Sequence, residues 1–335
     1  MNNPLLRVRD LRVEFGTHAV VRGVNFDLAA GETVGLVGES GSGKSTLARA
    51  ILRLQPARGS VEFLGLDLLH CPAAGLRAAR RDLQIVFQDP LASLNPRMTV
   101  GQAIAEPLEI FEPGLNQASR LRQVCAMLER VGLTPDMAER YPHEFSGGQC
   151  QRIGIARAMI LHPKLLICDE VVSSLDVSIQ GQIVNLLLDL RGEAEMAVLF
   201  ISHNLAVVRH LSHRVLVIYF GKLVEIASSD ALFESPVHPY TRVLLAAVPR
   251  IAPDMIGAAA PVPLAAAPAV LAAPTPAEAT PPARLMASGC AFRDRCSYAL
   301  PVCETDDPPL LELTAGHWVA CHRSREALNP PSFAS

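Results

Sequence analysis

The stretch "TVGLVGESGSGKST", Thr33 to Thr46, decides how this chain is read. A short run of apolar, strand-forming residues gives way to a glycine-rich loop, and the loop opens the amphipathic stretch Ser45 to Leu54. Its core, "GESGSGKST" from Gly38 to Thr46, fits the spacing G-x-x-x-x-G-K-[ST], with the strand before and the helix after that give the spacing meaning. Gly38, Gly41 and Gly43 let the backbone wrap tightly and turn its amides onto a phosphate, with Ser40 and Ser42 set between them. Lys44 supplies a point charge for β- and γ-phosphates, Ser45 a hydroxyl for Mg²⁺, and Thr46 closes the motif. A nucleotide site is therefore expected here.

Outward from this loop, four further runs share the same character: "LQIVFQ", "LLICDE", "AVLFIS" and "RVLVIY". Short, uninterrupted apolar runs suit strands buried on both faces. With helical patterns such as Gln149 to Leu161 between them, they predict an α/β fold, a mostly parallel sheet covered by helices. Residues 91–145 hold no such run and read as a helical insertion.

Half of the 335 residues are apolar, enough for a sizeable core. A formal net charge of −3 and a pI near 6.4 argue against nucleic acid as the main partner, since phosphate backbones call for a basic surface. "MNNPLLRVRD" has no apolar h-region, which speaks against a signal peptide. Met255 to Ala277 is free of charge, but Pro261, Pro263, Pro268, Pro274 and Pro276 interrupt it. A spanning helix must satisfy its own backbone, so this Ala/Pro stretch predicts an extended linker over 251–285 and no transmembrane segment.

"LLICDE" delivers two acids to the end of a buried strand, where open α/β sheets bind ligands. Asp169 can help hold Mg²⁺, and Glu170 is placed to deprotonate an attacking water. Such a pair also suits a helix N-cap; the phosphate loop elsewhere in the chain favours the catalytic reading. "FSGGQCQR", Phe145 to Arg152, has the look of a second backbone anion site at a helix start.

In this order, "GESGSGKST", Gln88 in "VFQDP", "FSGGQ", "LLICDE", "SSLD" and His203 in "FISHN" resemble the ATPase subunits of ABC transporters, over about residues 5–225. The resemblance implies a RecA-like core with an N-terminal antiparallel β part and a helical subdomain at about 91–160. It implies head-to-tail dimers in which each ATP lies between one subunit's phosphate loop and the other's signature sequence. Ser146, Gly147, Gly148 and Gln149 would then face the partner's ATP, and Asp176 the dimer seam. Gln88 would touch Mg²⁺ and the attacking water, His203 the γ-phosphate, and Phe15, 29 residues before Lys44, would stack on adenine.

"FQDPLASLNPRMTVGQAIAEPL", "RYPHEFSGGQ", "FGKLVEIA" and "SPVHPYTRVLLAAVP" narrow the likeness to the ATPases of oligopeptide and dipeptide importers, and to the second, F-type subunit of a pair. That implies a cassette over 1–250, a tail over 286–335, a paralogous ATPase partner and two membrane-spanning permeases. An extracytoplasmic binding protein would be an indirect partner, and the chain would sit peripherally on the cytoplasmic face of the membrane. The alternative class is a soluble ABC-type ATPase in DNA repair or regulation. Such chains carry long coiled coils or insertions between the two motifs, where this one has about a hundred residues without heptads. Four positions depart from the family pattern: Cys150, Val171, Ser174 and Asn204. None removes a phosphate, metal or base group, so they bear on rate and on the dimer seam.

Of eight cysteines, Cys290, Cys296, Cys303 and Cys321 cluster in the tail. Four thiolates suit structural zinc or an iron–sulfur cluster, and the absence of C-x-x-C weakens a ribbon-type zinc site. The family resemblance implies a [4Fe–4S] cluster, with zinc or unliganded thiols as the alternatives.

Overall fold

The computed structural model describes residues 4–173, 175–247 and 288–324. Along the chain run β1 (Leu6–Phe15), β2 (His18–Leu28), β3 (Thr33–Val37), α1 (Lys44–Ile51), β4 (Arg58–Phe63), β5 (Leu66–Asp67), α2 (Ala73–Asp82) and β6 (Leu83–Val86). Then come α3 (Pro90–Ser93), α4 (Val100–Phe111), α5 (Gln117–Arg130), α6 (Gly147–Met159), β7 (Leu165–Asp169), α7 (Val177–Ala194) and β8 (Ala197–Ile201). The last part holds α8 (Leu205–Leu211), β9 (Arg214–Tyr219), β10 (Lys222–Ser228), α9 (Ser229–Glu234), α10 (Pro239–Ala246), α11 (Val302–Thr305), β11 (Leu311–Thr314) and β12 (His317–Val319). All five expected strands are present, and the expected linker at 251–285 lies outside the described residues.

The chain forms two compact units. One comprises residues up to Arg7, Asp27–Thr33 and Glu62–Ser202. There β7 pairs in parallel with β6 and β8, Leu165 standing opposite both Leu83 and Ala197. Every residue of β7 and β8 is buried, which is why both read as unbroken apolar runs. Residues 91–145 are helical as expected, with no strand among them. Capping explains where these helices begin: Thr99 and Gln102 close a capping box on α4, and Asn116 caps α5. α4 buries Val100, Ala103, Ile104 and Leu108 along one face and packs on α6, where Arg157 reaches Glu106 (2.6 Å) and the Ser93 carbonyl (2.9 Å).

The other unit comprises Val8–Phe26, Val34–Val61 and the chain from His203 onward. β3 pairs in parallel with β9, Val34 opposite Arg214, and β9 turns back into β10 with Tyr219 opposite Lys222. The far edge of β10 is taken by β12, Glu225 opposite Val319, and β11 follows β12 antiparallel. The cysteine-bearing tail thus contributes two strands to the sheet. Sequence patterning gives no warning of this, because β12 is three residues long and too short to show a period.

Candidate nucleotide site

The phosphate loop leaves β3 and enters α1 as the motif requires. A Cβ at Gly38 would come within 2.3 Å of the Ile218 carbonyl, and one at Gly43 within 2.7 Å of the Val20 carbonyl. Gly43 has a φ of 99°, in the region reserved for glycine, and no side chain caps α1. Lys44 is buried, and its Nζ donates to the carbonyls of Gly38 (3.0 Å) and Glu39 (2.9 Å). Ser42 Oγ is buried with no hydrogen-bond partner among the described residues. A buried cation held by loop carbonyls, an uncapped helix start and an orphaned hydroxyl fit a triphosphate with Mg²⁺. In the same unit Phe15 is 48 % exposed at the end of β1, and His203 is exposed just beyond β8.

In the first unit, Asp169 ends β7 almost fully buried. Glu170 follows with φ 50°, left-handed backbone that a non-glycine residue adopts at a cost. Its N–H donates to the Ile201 carbonyl (3.0 Å), and its carboxylate accepts from Gln88 Nε2 at 3.2 Å. The turn therefore joins two residues 82 positions apart. Ser146 caps α6 in a reciprocal box with Gln149: Gln149 N–H donates to Ser146 Oγ (3.4 Å), and Ser146 N–H to Gln149 Oε1 (3.0 Å). Gln149 thus turns back on its own helix. A Cβ at Gly148 would meet Ile179 Cγ2 at 2.7 Å, so α6 and α7 approach closely there. Asp176 is exposed at the start of α7 and makes no capping bond.

Three of the four departures from the family pattern fall on described residues. Cys150 is fully buried, its Sγ donating to the Pro142 carbonyl (3.5 Å), and burial raises its thiol pKa. Val171 is buried as well. Asn204 caps α8, accepting from Val207 N–H at 3.3 Å, work that an aspartate would also do. Ser174 lies outside the described residues.

Sequence reasoning missed how the tail is anchored. The fully buried Glu225 carboxylate accepts from Val237 N–H (2.8 Å) and His238 N–H (2.9 Å) and pairs with His317 Nε2 (2.7 Å). His238 Nδ1 in turn accepts from Tyr240 N–H (3.0 Å), with Pro239 opening α10. Tyr240, Tyr219 and Phe292 form an aromatic cluster with centroids 4.5 to 5.5 Å apart. The quoted "HPY" was the available signal, and its work is to hold the tail. Beyond it, the Cys290 thiol is pushed up to about 11 by burial and by the charges of Cys303, Cys321 and Cys296. Cys290 N–H donates to the Cys303 carbonyl (2.9 Å), which brings two of the four residues together. Yet among the described residues no group of three or more His, Cys, Asp or Glu forms a metal site, so the geometry does not carry the expected metal centre.

Residues 21–173 match the family described as ABC transporter, and the chain belongs to that family, as an ATP-hydrolysing subunit. Residues 224–303 match the family described as oligopeptide/dipeptide transporter, C-terminal region. Within the ABC class, then, the chain belongs with the oligopeptide/dipeptide transporter ATP-binding proteins. It is 49 % identical to the oligopeptide transport ATP-binding protein OppF of Salmonella typhimurium, over 95 % of each chain, and 49 % identical to that of Escherichia coli over the same shares. A putative peptide import ATP-binding protein of Brucella ovis is 48 % identical over 96 % of this chain and 98 % of its own. Among solved structures, cbiO1 from Clostridium perfringens, part of an ABC transporter complex, superposes with a TM-score of 0.63 at 25 % identity, covering 70 % of this chain and 93 % of its own. A dimeric ATP-binding cassette bound to ADP and Pi gives 0.62 at 26 %, covering 67 % and 98 %. Among the described residues no helix is long and apolar enough to cross a membrane.

Proposed function

We propose that this chain energises the import of di- and oligopeptides, or related small solutes, from the cytoplasmic face of the membrane. The reading is carried by one observation, that an ABC-transporter match and an oligopeptide/dipeptide-transporter C-terminal match occur in the same chain. Its partners are a paralogous ATPase and two membrane-spanning permeases, with an extracytoplasmic binding protein supplying the cargo. ATP lies between Gly38–Thr46 of one ATPase and the Ser146–Gln149 segment of the other. Phe15, an exposed aromatic, stacks on adenine. Lys44 meets the β- and γ-phosphates, while Ser45, Gln88 and Asp169 would hold Mg²⁺, which neutralises charge on the phosphate oxygens when bound. Glu170, steered by Gln88, takes the proton of the attacking water as its oxygen bonds the γ-phosphorus and the bond to the β-phosphate oxygen breaks. His203 and the partner-facing Ser146 stabilise charge on the γ-phosphate, and Asp176 links the two sites across the seam.

The four tail cysteines are the donor set we assign to a [4Fe–4S] cluster, with zinc as the alternative. The support is the hydrogen bond from Cys290 N–H to the Cys303 carbonyl (2.9 Å), which brings two of the four together, and the group would brace the tail.

The test is a tagged purification from gently solubilised membranes under anaerobic conditions, with mass spectrometry and a visible absorption spectrum on one sample. Two multi-span proteins and a second ATPase are expected, with a broad band near the blue. Recovery of the chain alone, or with nucleic acid, overturns transport in favour of a soluble ATPase. A colourless sample holding zinc removes only the cluster.

A further inference from the structure

Glu39 occupies one of the variable positions of the phosphate loop, yet three separate groups hold it. Its carboxylate is gripped by both ends of the Arg295 guanidinium, at 2.9 and 3.0 Å. Its N–H donates to the Tyr240 hydroxyl (2.9 Å), and its carbonyl accepts from Lys44 Nζ (2.9 Å). Arg295 comes from the tail, between Cys290 and Cys296, and is itself seated: it lies 5.6 Å from the centre of the Phe292 ring and 6.0 Å from that of Tyr219. A fork-on-fork pair fixes direction as well as charge, which a lysine would not do.

We propose that Arg295 is a positioning residue for ATP, by which the C-terminal tail neutralises the phosphate loop's own carboxylate and holds the backbone that aligns Lys44. Glu39 left alone would put a negative charge on the loop that receives a polyphosphate of the same sign, and like charges repel. The tail is then part of the nucleotide site, and whatever orders Cys290 to Cys296 also sets the affinity for ATP. The inference rests on the reading of Gly38–Thr46 as the phosphate loop.

The experiment measures MgATP affinity, KM and kcat on the complex purified from membranes, for the parent, Lys44→Ala, Arg295→Ala, Arg295→Lys and Arg295→Ala combined with Glu39→Gln. Loss of binding in Lys44→Ala establishes the loop; its persistence overturns the loop reading apart from the tail's role. Arg295→Ala is expected to raise KM about five- to tenfold with kcat within about twofold, Arg295→Lys to recover part of this, and Glu39→Gln in the alanine background to recover most of it. Rescue by a neutral glutamine is what a mere structural brace would not give. An unchanged KM in Arg295→Ala, or a double variant as weak as the single one, overturns the proposal. If Arg295→Ala does not fold, Arg295→Gln replaces it in the same comparison, with the same outcomes deciding.

Discussion

Glu170 and His238 show how much one residue's surroundings decide. Glu170 stands at φ 50° directly after a buried strand, with its carboxylate 3.2 Å from Gln88 Nε2. Glu170→Gln keeps the size and removes the base. Phosphate release should fall by about 10²- to 10⁴-fold while MgATP still binds, and hydrolysis above a tenth of the parent rate would remove Glu170 from the base role. His238 is nearly fully buried, and desolvation drives its imidazole down to about 4, against the opposite pull of Glu225 and of the Ala320 backbone. The unfolded chain takes up this proton as pH falls through about 6.5, while the folded protein refuses it until about 4. Stability should therefore be complete above that window and decline across it, by at most about 3.5 kcal/mol. Denaturation midpoints at pH 7, 6 and 5 measure this, and His238→Gln should flatten the slope. An identical slope in the variant would assign the loss to another group.

At the scale of elements, the start of α6 and the edge of β10 show how packing and polar partners fix each position. α6 begins with a closed capping box, which leaves two consecutive glycines at its first turn. Gly148 is there for space, since its Cβ would meet Ile179 of α7 at 2.7 Å. Gly148→Ala should destabilise the protein by about 1–3 kcal/mol through overpacking, read by urea unfolding, and should lower ATP hydrolysis with it. A variant with parental stability would mean that α7 moves aside freely. On β10, Glu225 interrupts an otherwise apolar strand and looks misplaced until Val237, His238 and His317 are found around it. A buried carboxylate needs such partners, and here they come from α10's approach and from the tail.

For the whole molecule, the tail is a part of the sheet and not an appendage. Ending the chain at residue 247 would strip β12 from β10 and leave Glu225 buried without His317. It would also remove Phe292 from the aromatic cluster. Breaking a buried pair alone costs about 3–5 kcal/mol, and a bared strand edge recruits other chains. The truncated protein should melt well below the parent and self-associate, as differential scanning fluorimetry and light scattering would record. A truncated chain that stays monomeric and melts with the parent would make the tail an independent unit.

The phosphate loop, the five buried strands, the helical insertion and the ordered set of motifs were all legible in the chain, because each is local: a fixed spacing, an unbroken apolar run or a capped helix start. Pairings between distant residues were not. Gln88 with Glu170, His317 with Glu225 and Arg295 with Glu39 join residues 82, 92 and 256 positions apart, and no local pattern encodes them. Cys150 and Asn204 read as departures from a family pattern until burial and capping gave each an ordinary structural task. Spacing made the four tail cysteines a candidate metal set, but only the folded chain decides whether ligands converge, and among the described residues they do not form such a site. Local chemistry is written in sequence because neighbouring residues share one backbone; long-range contacts depend on where the sheet brings that backbone back.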